Sequence, residues 1–354
     1  HTYADIWRYD FEGDFWETVG YLPYGASHFS VAAKYPYIFL SNVGQENNII
    51  GRVDIRDGSF KEFETWMTIV SPGSAVVGDY LYIFGGSWKT TKHATDEIYL
   101  FSPVIGKWKK GNFRDKIAEK QATSSVYLDD LNVIFSTGFA YLPKPNFYTF
   151  PIEIVDLQDY SIRYRSDNPH MALQSGVVYW NKKVYVFGGR TFDNEGSRFY
   201  SDHMLSFDPY TDQWSTLSQM PAPRVTYGTV LGDYLYTFGG FDEEKIYDDI
   251  WRYDFVEDAW QVMGYLPYSA SNFGVSQKYP YIFLSNIGHE QNIIGRFDVR
   301  SGSLMEIKIP ITTTSAGSVI VGDYLYIFGG MTDGGKTATN KTFKIPLTEL
   351  MVEE

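Results

Sequence analysis

The chain has 354 residues, a formal net charge of −13 and no cysteine. The lack of cysteine excludes disulfide bonds, thiolate metal sites and a cysteine nucleophile, and the acidic balance argues against nucleic acid or an anionic membrane surface as a partner. No apolar run approaches the roughly 18–20 residues that a membrane-spanning helix needs, so membrane insertion is not expected.

The N-terminal segment, residues 1–19, is predicted to form a hairpin in which Tyr9 and Trp16 face each other. The chain begins with His-Thr-Tyr, which predicts a processed or trimmed product. A removed secretion signal explains such a start. It favours an extracellular, secreted location over a cytoplasmic one, although the design of an expression clone explains the same start.

Seven copies of an aromatic strand that ends in glycine follow, within residues 20–330. Measured between the last glycines, the steps are 42, 52, 51, 51, 48 and 42 residues. Paired glycines permit backbone angles and close approaches that a Cβ would obstruct. The copies are Tyr37–Phe39 with Gly44, Tyr82–Gly86, Val133–Phe135 with Gly138, Tyr185–Gly189, Tyr236–Gly240, Tyr281–Phe283 with Gly288, and Tyr326–Gly330.

A second signal follows each copy: an apolar residue and, seven positions later, a large one. Two residues at this spacing around a tight turn face each other across a hairpin. Each unit is therefore predicted to hold four strands: a strand of small residues, the aromatic strand and the hairpin. The pairs are Phe101 and Trp108, Phe207 and Trp214, Tyr253 and Trp260, and in weaker form Val53 and Phe60, Val155 and Ile162, Phe297 and Leu304, Ile345 and Val352.

Together these two signals closely resemble kelch repeats, and the resemblance covers essentially the whole chain. It implies an all-β fold: a seven-bladed kelch-type β-propeller with four antiparallel strands per blade, in a single domain over residues 1–354. The chain has seven Gly-Gly strands but eight outer hairpins. We therefore expect a closing blade shared between the N- and C-termini, with residues 1–19 as the closing hairpin and residues 331–354 as the closing segment. One alternative is that the N-terminal hairpin alone completes the blade and leaves residues 341–354 as an added edge or tail. Another is that the surplus strand pairs with a neighbouring molecule.

An internal duplication supports the repeat assignment. Residues 5–86 align without a gap onto residues 249–330, and 53 of the 82 positions are identical. The constant offset of 244 residues corresponds to five units. Such identity is typical of a recent segmental duplication.

No motif in the sequence predicts catalysis, so we expect a protein that is not an enzyme and has no cofactor or metal. Residues Gly330 to Thr337 satisfy the phosphate-loop expression, but that chemistry needs a helix after the loop, whereas the residues that follow predict a strand. The six histidines show no metal-binding spacing and are expected in loops at the rim. Galactose-oxidase-like copper chemistry requires a cysteine that this chain lacks.

In kelch propellers the loops after the Gly-Gly strand and the loops between blades converge on one face, and variable loops on a rigid scaffold are the usual place for binding. Arg224 has a structural alternative, because kelch repeats often use an arginine there to orient the loop. Trp88 and Tyr141 have the alternative of packing within their loops. The candidate ligand- or partner-binding residues are Glu46, Trp88, Tyr141, Arg190, Arg198, Arg224 and His289.

The sequence thus favours a non-enzymatic, protein-binding scaffold that presents variable loops on one face to a protein partner, alone or in a larger assembly. A carbohydrate-binding or sugar-isomerising kelch protein, similar to mutarotases, is the first alternative. A structural subunit of an extracellular polymer, self-associating through the surplus terminal strand, is the second. Fold alone does not choose among them.

Overall fold

The structure is a computed structural model and describes the following residues: 5–10, 15–21, 30–34, 36–43, 49–54, 56, 59–64, 69–70, 73–78, 80–85, 87–88, 95–102, 107–111, 113, 116–117, 121–141, 148–149, 151–165, 168–192, 197–271, 273–287, 292–308, 317–321, 324–328, 331–332, 337–338 and 342–347. Within these ranges there is no helix long and apolar enough to cross a membrane.

The described part of the chain is built from β-strands. In chain order they are β1 (Asp5–Asp10), β2 (Phe15–Tyr21), β3 (Ser30–Lys34), β4 (Tyr37–Val43), β5 (Ile49–Asp54), β6 (Phe60–Glu64), β7 (Ile69–Val70), β8 (Gly73–Val77), β9 (Tyr80–Phe84), β10 (Ser87–Trp88), β11 (Ile98–Ser102), β12 (Lys107–Lys110), β13 (Gln121–Leu128), β14 (Val133–Tyr141), β15 (Tyr148–Thr149), β16 (Ile152–Asp156), β17 (Ile162–Arg165) and β18 (Gly176–Trp180). The remainder are β19 (Lys183–Phe187), β20 (Arg190–Phe192), β21 (Arg198–Tyr200), β22 (Met204–Asp208), β23 (Gln213–Thr216), β24 (Val225–Leu231), β25 (Tyr234–Phe241), β26 (Ile246–Asp254), β27 (Ala259–Tyr265), β28 (Gly274–Lys278), β29 (Tyr281–Ile287), β30 (Ile293–Asp298), β31 (Leu304–Lys308), β32 (Gly317–Val321), β33 (Tyr324–Phe328), β34 (Met331–Thr332), β35 (Thr337–Ala338) and β36 (Thr342–Pro346).

The chain divides into two compact units, and unit 2 comprises Ser71–Tyr265. It contains four antiparallel sheets, in the orders β8-β9-β11-β12, β13-β14-β16-β17, β18-β19-β22-β23 and β24-β25-β26-β27, with β15 added to β14. The first strands β8, β13, β18 and β24 lie side by side in that sequence. The aromatic strand is second and the hairpin follows it, as the sequence predicts.

Unit 1 comprises His1–Val70 and Leu266–Glu354. It contains the sheets β3-β4-β5-β6 and β28-β29-β30-β31 and a five-stranded sheet in the order β2-β1-β36-β33-β32. The first strands β3 and β28 both lie against β32. The five-stranded sheet is composite, because it combines strands from the two ends of the chain.

The spacing of seven residues is confirmed as a cross-strand pair. In unit 2 the two residues of each pair lie directly opposite each other, as Phe207 and Trp214 do. Their ring centroids are 5.0 Å apart. The same pairing holds for Val53 with Phe60, Phe101 with Trp108, Val155 with Ile162, Tyr253 with Trp260, and Phe297 with Leu304.

The hydrophobic core lies between neighbouring sheets. The second and third strands are buried along nearly their whole length, as in β9 and β11, because neighbouring sheets of the same unit pack against each other. Their continuous apolar runs follow from that burial. In unit 2, for example, Phe187 and Met204 of one sheet share a cluster with Leu235 and Tyr253 of the next.

The closing sheet corrects the prediction of four antiparallel strands in every unit. The sheet does draw strands from both ends of the chain, as expected, but it has five strands, and β1 runs parallel to β36. The cause is that β36 already occupies the place beside β33, so the N-terminal hairpin pairs with the outer side of β36. Among the described residues, six sheets of four or more strands are each built from one continuous stretch of chain. The structure therefore shows six such blades and not the predicted seven, because the seventh copy of the repeat contributes its strands to the composite sheet.

Candidate functional site

A two-stranded hairpin, β20–β21, follows the Gly188-Gly189 pair in unit 2. Arg190 lies opposite Tyr200, and Thr191 lies opposite Phe199. The sheet strand β19 ends at Phe187, so the hairpin begins three residues beyond the sheet. We call β20–β21 the arginine hairpin.

The two glycines hold the base of the arginine hairpin close to neighbouring backbone. Their φ angles are +60° for Gly188 and +96° for Gly189, a region that side chains other than glycine rarely adopt. A Cβ on Gly188 would lie 2.7 Å from the carbonyl oxygen of Arg224, and one on Gly189 would lie 2.8 Å from that of Leu173. The glycines therefore permit an approach that fixes where Arg190 begins.

Backbone hydrogen bonds complete this base. The N–H of Gly189 donates to the carbonyl oxygen of Arg224 at 2.9 Å, and the N–H of Arg190 donates to that of Leu173 at 2.9 Å. In turn, the N–H of Leu173 donates to the carbonyl oxygen of Arg190 at 2.9 Å. The arginine hairpin thus stands on a rigid support, as binding elements on a scaffold usually do.

Arg190 and Arg198 bring two positive charges together on this hairpin. Arg190 is partly buried, and its Nε has no hydrogen-bond partner within the described ranges. Burial lowers the pKa of Arg190, and the charge of Arg198 lowers it further. Since like charges repel and a buried donor without a partner is costly, an anionic group placed between the two guanidinium groups would remove both penalties.

Aromatic residues lie on both faces of the arginine hairpin. Tyr200 shares the face of Arg190 and Arg198, and Phe199 lies on the other face with Thr191. Phe199 is 51% exposed, and Tyr200 contacts Phe241 edge-on with ring centroids 6.3 Å apart. An aromatic ring beside a positive charge is typical of residues that dominate binding energy at interfaces. Phe199 is not among the residues predicted to bind, although it adjoins Arg198 in a loop after a Gly-Gly strand, and that position was sufficient to predict a binding role.

Arg224 is enclosed within the fold, which supports its structural alternative, and its part in partner binding stays a prediction. Its side chain is 1% exposed, and both terminal nitrogens bind the carboxylate of Asp249, the longer bond being Nη2 to Oδ2 at 3.0 Å. Nη1 also donates to the carbonyl oxygen of Gly239 at 3.2 Å. The guanidinium carbon lies 3.5 Å from the ring centroid of Tyr247 and 3.8 Å from that of Trp251. These contacts enclose the Arg224 side chain. They are the contacts expected of an arginine that orients the loop between two blades, which was the structural alternative.

The other candidate residues do not join the arginine hairpin in the described part of the chain. Trp88 ends β10, and Tyr141 ends β14 opposite Tyr148. Glu46 and His289 lie outside the described residues, so their role stays a prediction. Of the seven candidates, the structure therefore brings together Arg190 and Arg198, with the backbone of Arg224 beneath them.

His170 corrects the expectation that the histidines lie at the rim. It is 2% exposed, and its Nε2 donates to the carbonyl oxygen of Gly188 at 2.8 Å, which assigns the neutral tautomer with the proton on Nε2. Burial lowers its pKa to about 4. His170 therefore supports the Gly188 backbone under the arginine hairpin.

This burial predicts a pH-dependent stability. The folded pKa of His170 lies below the unfolded value of about 6.5, so its contribution is complete above pH 6.5 and is lost as the pH falls toward 4, because protonation then favours unfolding. We expect the free energy of unfolding to fall by up to about 1.4 kcal/mol per pH unit in this window from this one group. Urea unfolding at several pH values measures the slope.

The matched variants for this experiment are His170→Gln and His203→Gln. Glutamine can replace the Nε2 donor but does not take up a proton, so H170Q should show a flatter slope than the wild type. His203 is exposed, but its charge helps burial to lower the pKa of His170, so H203Q should keep a steeper slope than H170Q and complete its loss of stability at a slightly higher pH than the wild type. Equal slopes for H170Q and the wild type would contradict the assignment.

The phosphate-loop match lacks its structural context. β34 and β35, on the two sides of this loop, pair with each other as antiparallel strands. A phosphate loop needs a helix to begin where Thr337 instead lies in a strand. Elsewhere too, no group of three or more His, Asp or Glu side chains among the described residues is arranged to hold a metal ion.

Sheets whose first strands lie side by side, with an aromatic Gly-Gly strand second and a hairpin third and fourth, define a repeat protein of the β-propeller class. The chain belongs to the kelch-repeat family: residues 71–275 match the family model described as the KLHDC2/KLHL20/DRC7 Kelch-repeats domain.

Curated relatives agree with this assignment. The chain is 27% identical over 174 residues to Kelch-like protein 38 of Mus musculus, covering 46% of this chain and 29% of that protein. It is 27% identical over 95 residues to Kelch-like protein 15 of Danio rerio, covering 27% of this chain and 15% of that protein. It is 26% identical over 173 residues to the Kelch repeat and BTB domain-containing protein 12 of Danio rerio, covering 46% and 26%. The chain thus spans less than a third of the length of these relatives.

Proposed function

We propose that this protein is a non-enzymatic interaction propeller that presents loops on one face to a protein partner. Its similarity to Kelch-like proteins supports a protein-interaction role. The observation that carries the proposal is the arginine hairpin: two adjacent arginines and an exposed phenylalanine on a base fixed by two glycines. Within the described residues, neither arginine has an ion-pair partner.

The partner surface that fits this hairpin has a carboxylate for the arginine face and an apolar side chain for the opposite face, where Phe199 lies. A carboxylate accepts the free Nε–H of Arg190 and relieves the repulsion from Arg198, and charge-assisted bonds of this kind are stronger than neutral ones. An apolar group covers Phe199. A positive hairpin on a chain with a net charge of −13 also restricts where an acidic partner can approach.

We also propose that the whole chain belongs to a single kelch propeller domain. The seventh Gly-Gly copy supplies β33 of the composite sheet, and β32 of that sheet lies beside β3 and β28 within unit 1. The composite sheet therefore has the inner strands of a blade, with its outer strands drawn from both ends of the chain. Self-association, carbohydrate binding and secretion stay predictions.

The decisive test is native co-purification with the tagged protein, followed by mass spectrometry and measurement of Kd for any stoichiometric partner. We expect the double variant R190Q/R198Q to weaken binding at least tenfold, because each lost charge-assisted bond contributes about 1.5–3 kcal/mol. Phe199→Ser should weaken binding as well.

The matched control is R163Q/R252Q, which removes one exposed and one half-buried arginine of unit 2 on strands other than those of the arginine hairpin. It has the same net charge as R190Q/R198Q. The control should bind like the wild type. Equal binding by both double variants, or recovery of the wild type without any partner, would refute the proposal.

A further inference from the structure

A cavity of about 510 Å³ lies in unit 2, away from the arginine hairpin. It is formed by the C-terminal halves of the adjacent first strands β13, β18 and β24. The hairpin leaves β19 at the opposite end of its sheet, because β19 runs from the turn after Trp180 toward Gly188. The lining residues are Val126, Tyr127, Asp129, Val177, Val178, Tyr179, Gly228, Thr229 and Val230.

The polar groups of this cavity mostly accept hydrogen bonds. The hydroxyl of Tyr127 donates its proton to Asn132 Oδ1 at 3.1 Å, and the hydroxyl of Tyr179 donates its proton to Asp130. Each tyrosine has one hydroxyl proton, so both oxygens keep only lone pairs for a ligand. The neighbouring carboxylate of Asp129 adds two further acceptors.

Asp129 and Asp130 differ in the number of hydrogen bonds and nearby cations that stabilise their charged carboxylates. Asp130 also accepts a bond from Tyr210 at 2.8 Å, and the charge of Lys182 helps to keep its pKa low. Asp129, in contrast, accepts the N–H of Asp130 at 3.0 Å, and no cation within the described ranges forms a salt bridge with it. Asp129 lines the same cavity as Tyr127 and Tyr179; burial raises the pKa of both tyrosines, and the charge of Asp129 adds to this effect.

From this arrangement we propose that the cavity binds an aliphatic ammonium group. The ammonium would donate to Asp129 and to the oxygens of Tyr127 and Tyr179, since it carries three donors and no acceptor. The valine side chains on all three strands would contact its methylene stem. Lysine side chains of a protein partner and free alkylamines share this chemistry.

The test uses calorimetric titration of the full chain with n-butylammonium at constant ionic strength, with 1-butanol as the uncharged probe of the same stem. We expect butylammonium to bind and butanol to bind at least tenfold more weakly. Asp129→Asn should weaken butylammonium binding about tenfold or more, because it removes a charge-assisted bond.

The matched control is Asp233→Asn, which removes an exposed aspartate from the corresponding turn after β24 that does not line the cavity. D233N should bind like the wild type. Should D129N fail to fold, Thr229→Lys provides a second variant, because its own ammonium would enter the cavity and abolish binding of the probe.

Two further probes identify the source of the ammonium. Nα-acetyl-lysine methylamide binding at least as tightly as butylammonium supports a lysine side chain, and binding of butylammonium alone supports a free amine. Equal binding of butanol and butylammonium, unchanged binding by both D129N and T229K, or equal losses in D129N and D233N would each overturn the proposal.

Discussion

We expect Arg224→Met to lower the free energy of unfolding by about 3–5 kcal/mol, because it removes one partner of a buried ion pair. Methionine retains a similar stem but leaves the carboxylate of Asp249 and the carbonyl oxygen of Gly239 without their donor. It also removes the guanidinium that stacks between Tyr247 and Trp251. Denaturant unfolding followed by tryptophan fluorescence measures the change.

Arg252→Met is the matched control, because Arg252 also lies over an aromatic ring in the same sheet. Its guanidinium carbon is 4.3 Å from the ring centroid of Tyr234, and its Nη2 donates to Gln261 at 2.6 Å, but both contacts are near the surface. Exposed contacts of this kind contribute about 1 kcal/mol or less. A loss for R224M no larger than that for R252M would show that the Arg224 cage does not stabilise the fold.

The strands and their order were predictable from the sequence because the signals are local and repeated. The pair Phe207 and Trp214 needs only a hairpin and a tight turn to meet, so its spacing alone predicts the contact. The pair Gly188-Gly189 directly follows the end of β19, whereas β25 continues through Gly239 and Gly240 to Phe241. For the composite sheet, the sequence predicted only that both ends of the chain contribute strands. Its parallel pair β1–β36 depends on which strand takes the place beside β33, and both candidate strands have similar patterns.

The candidate site was less predictable, because its contacts join segments far apart in the chain. Arg190 and Arg198 were accessible to sequence reasoning, since both flank a loop after a Gly-Gly strand. The burial of His170 was not, because it depends on a bond to Gly188 that no local pattern encodes. The cavity lined by Tyr127, Asp129 and Tyr179 was also missed, since it arises where strands of three different sheets lie side by side.

Gly240→Ala is the second substitution with a large expected effect, a loss of about 3 kcal/mol or more in the free energy of unfolding. Gly240 has a φ angle of +101°, and a Cβ there would lie 2.1 Å from the carbonyl oxygen of Val225 and 3.0 Å from the Cα of Thr226. Both obstacles are backbone atoms that cannot rotate away. Backbone strain and overpacking each cost about 1–3 kcal/mol.

Gly232→Ala separates these two causes. Gly232 lies in the turn between β24 and β25 with a φ angle of +64°, but a Cβ there meets nothing within 4 Å. It should therefore show the backbone penalty alone, about 1 kcal/mol. Thermal unfolding of the two variants under identical conditions gives the comparison, and equal losses would show that the close approach at Gly240 does not matter.

A double variant connects Gly240 with the Arg224 cage. Val225, whose carbonyl oxygen the new Cβ would displace, is the neighbour of Arg224, and Gly239, which precedes Gly240, accepts a bond from its Nη1. Displacing this segment already weakens the cage, so the loss for G240A/R224M should be smaller than the sum of the two single losses. Strict additivity would mean that the close approach and the cage stabilise unit 2 independently. Coupling would mean that the paired glycine and the buried arginine together hold the backbone on which the arginine hairpin stands.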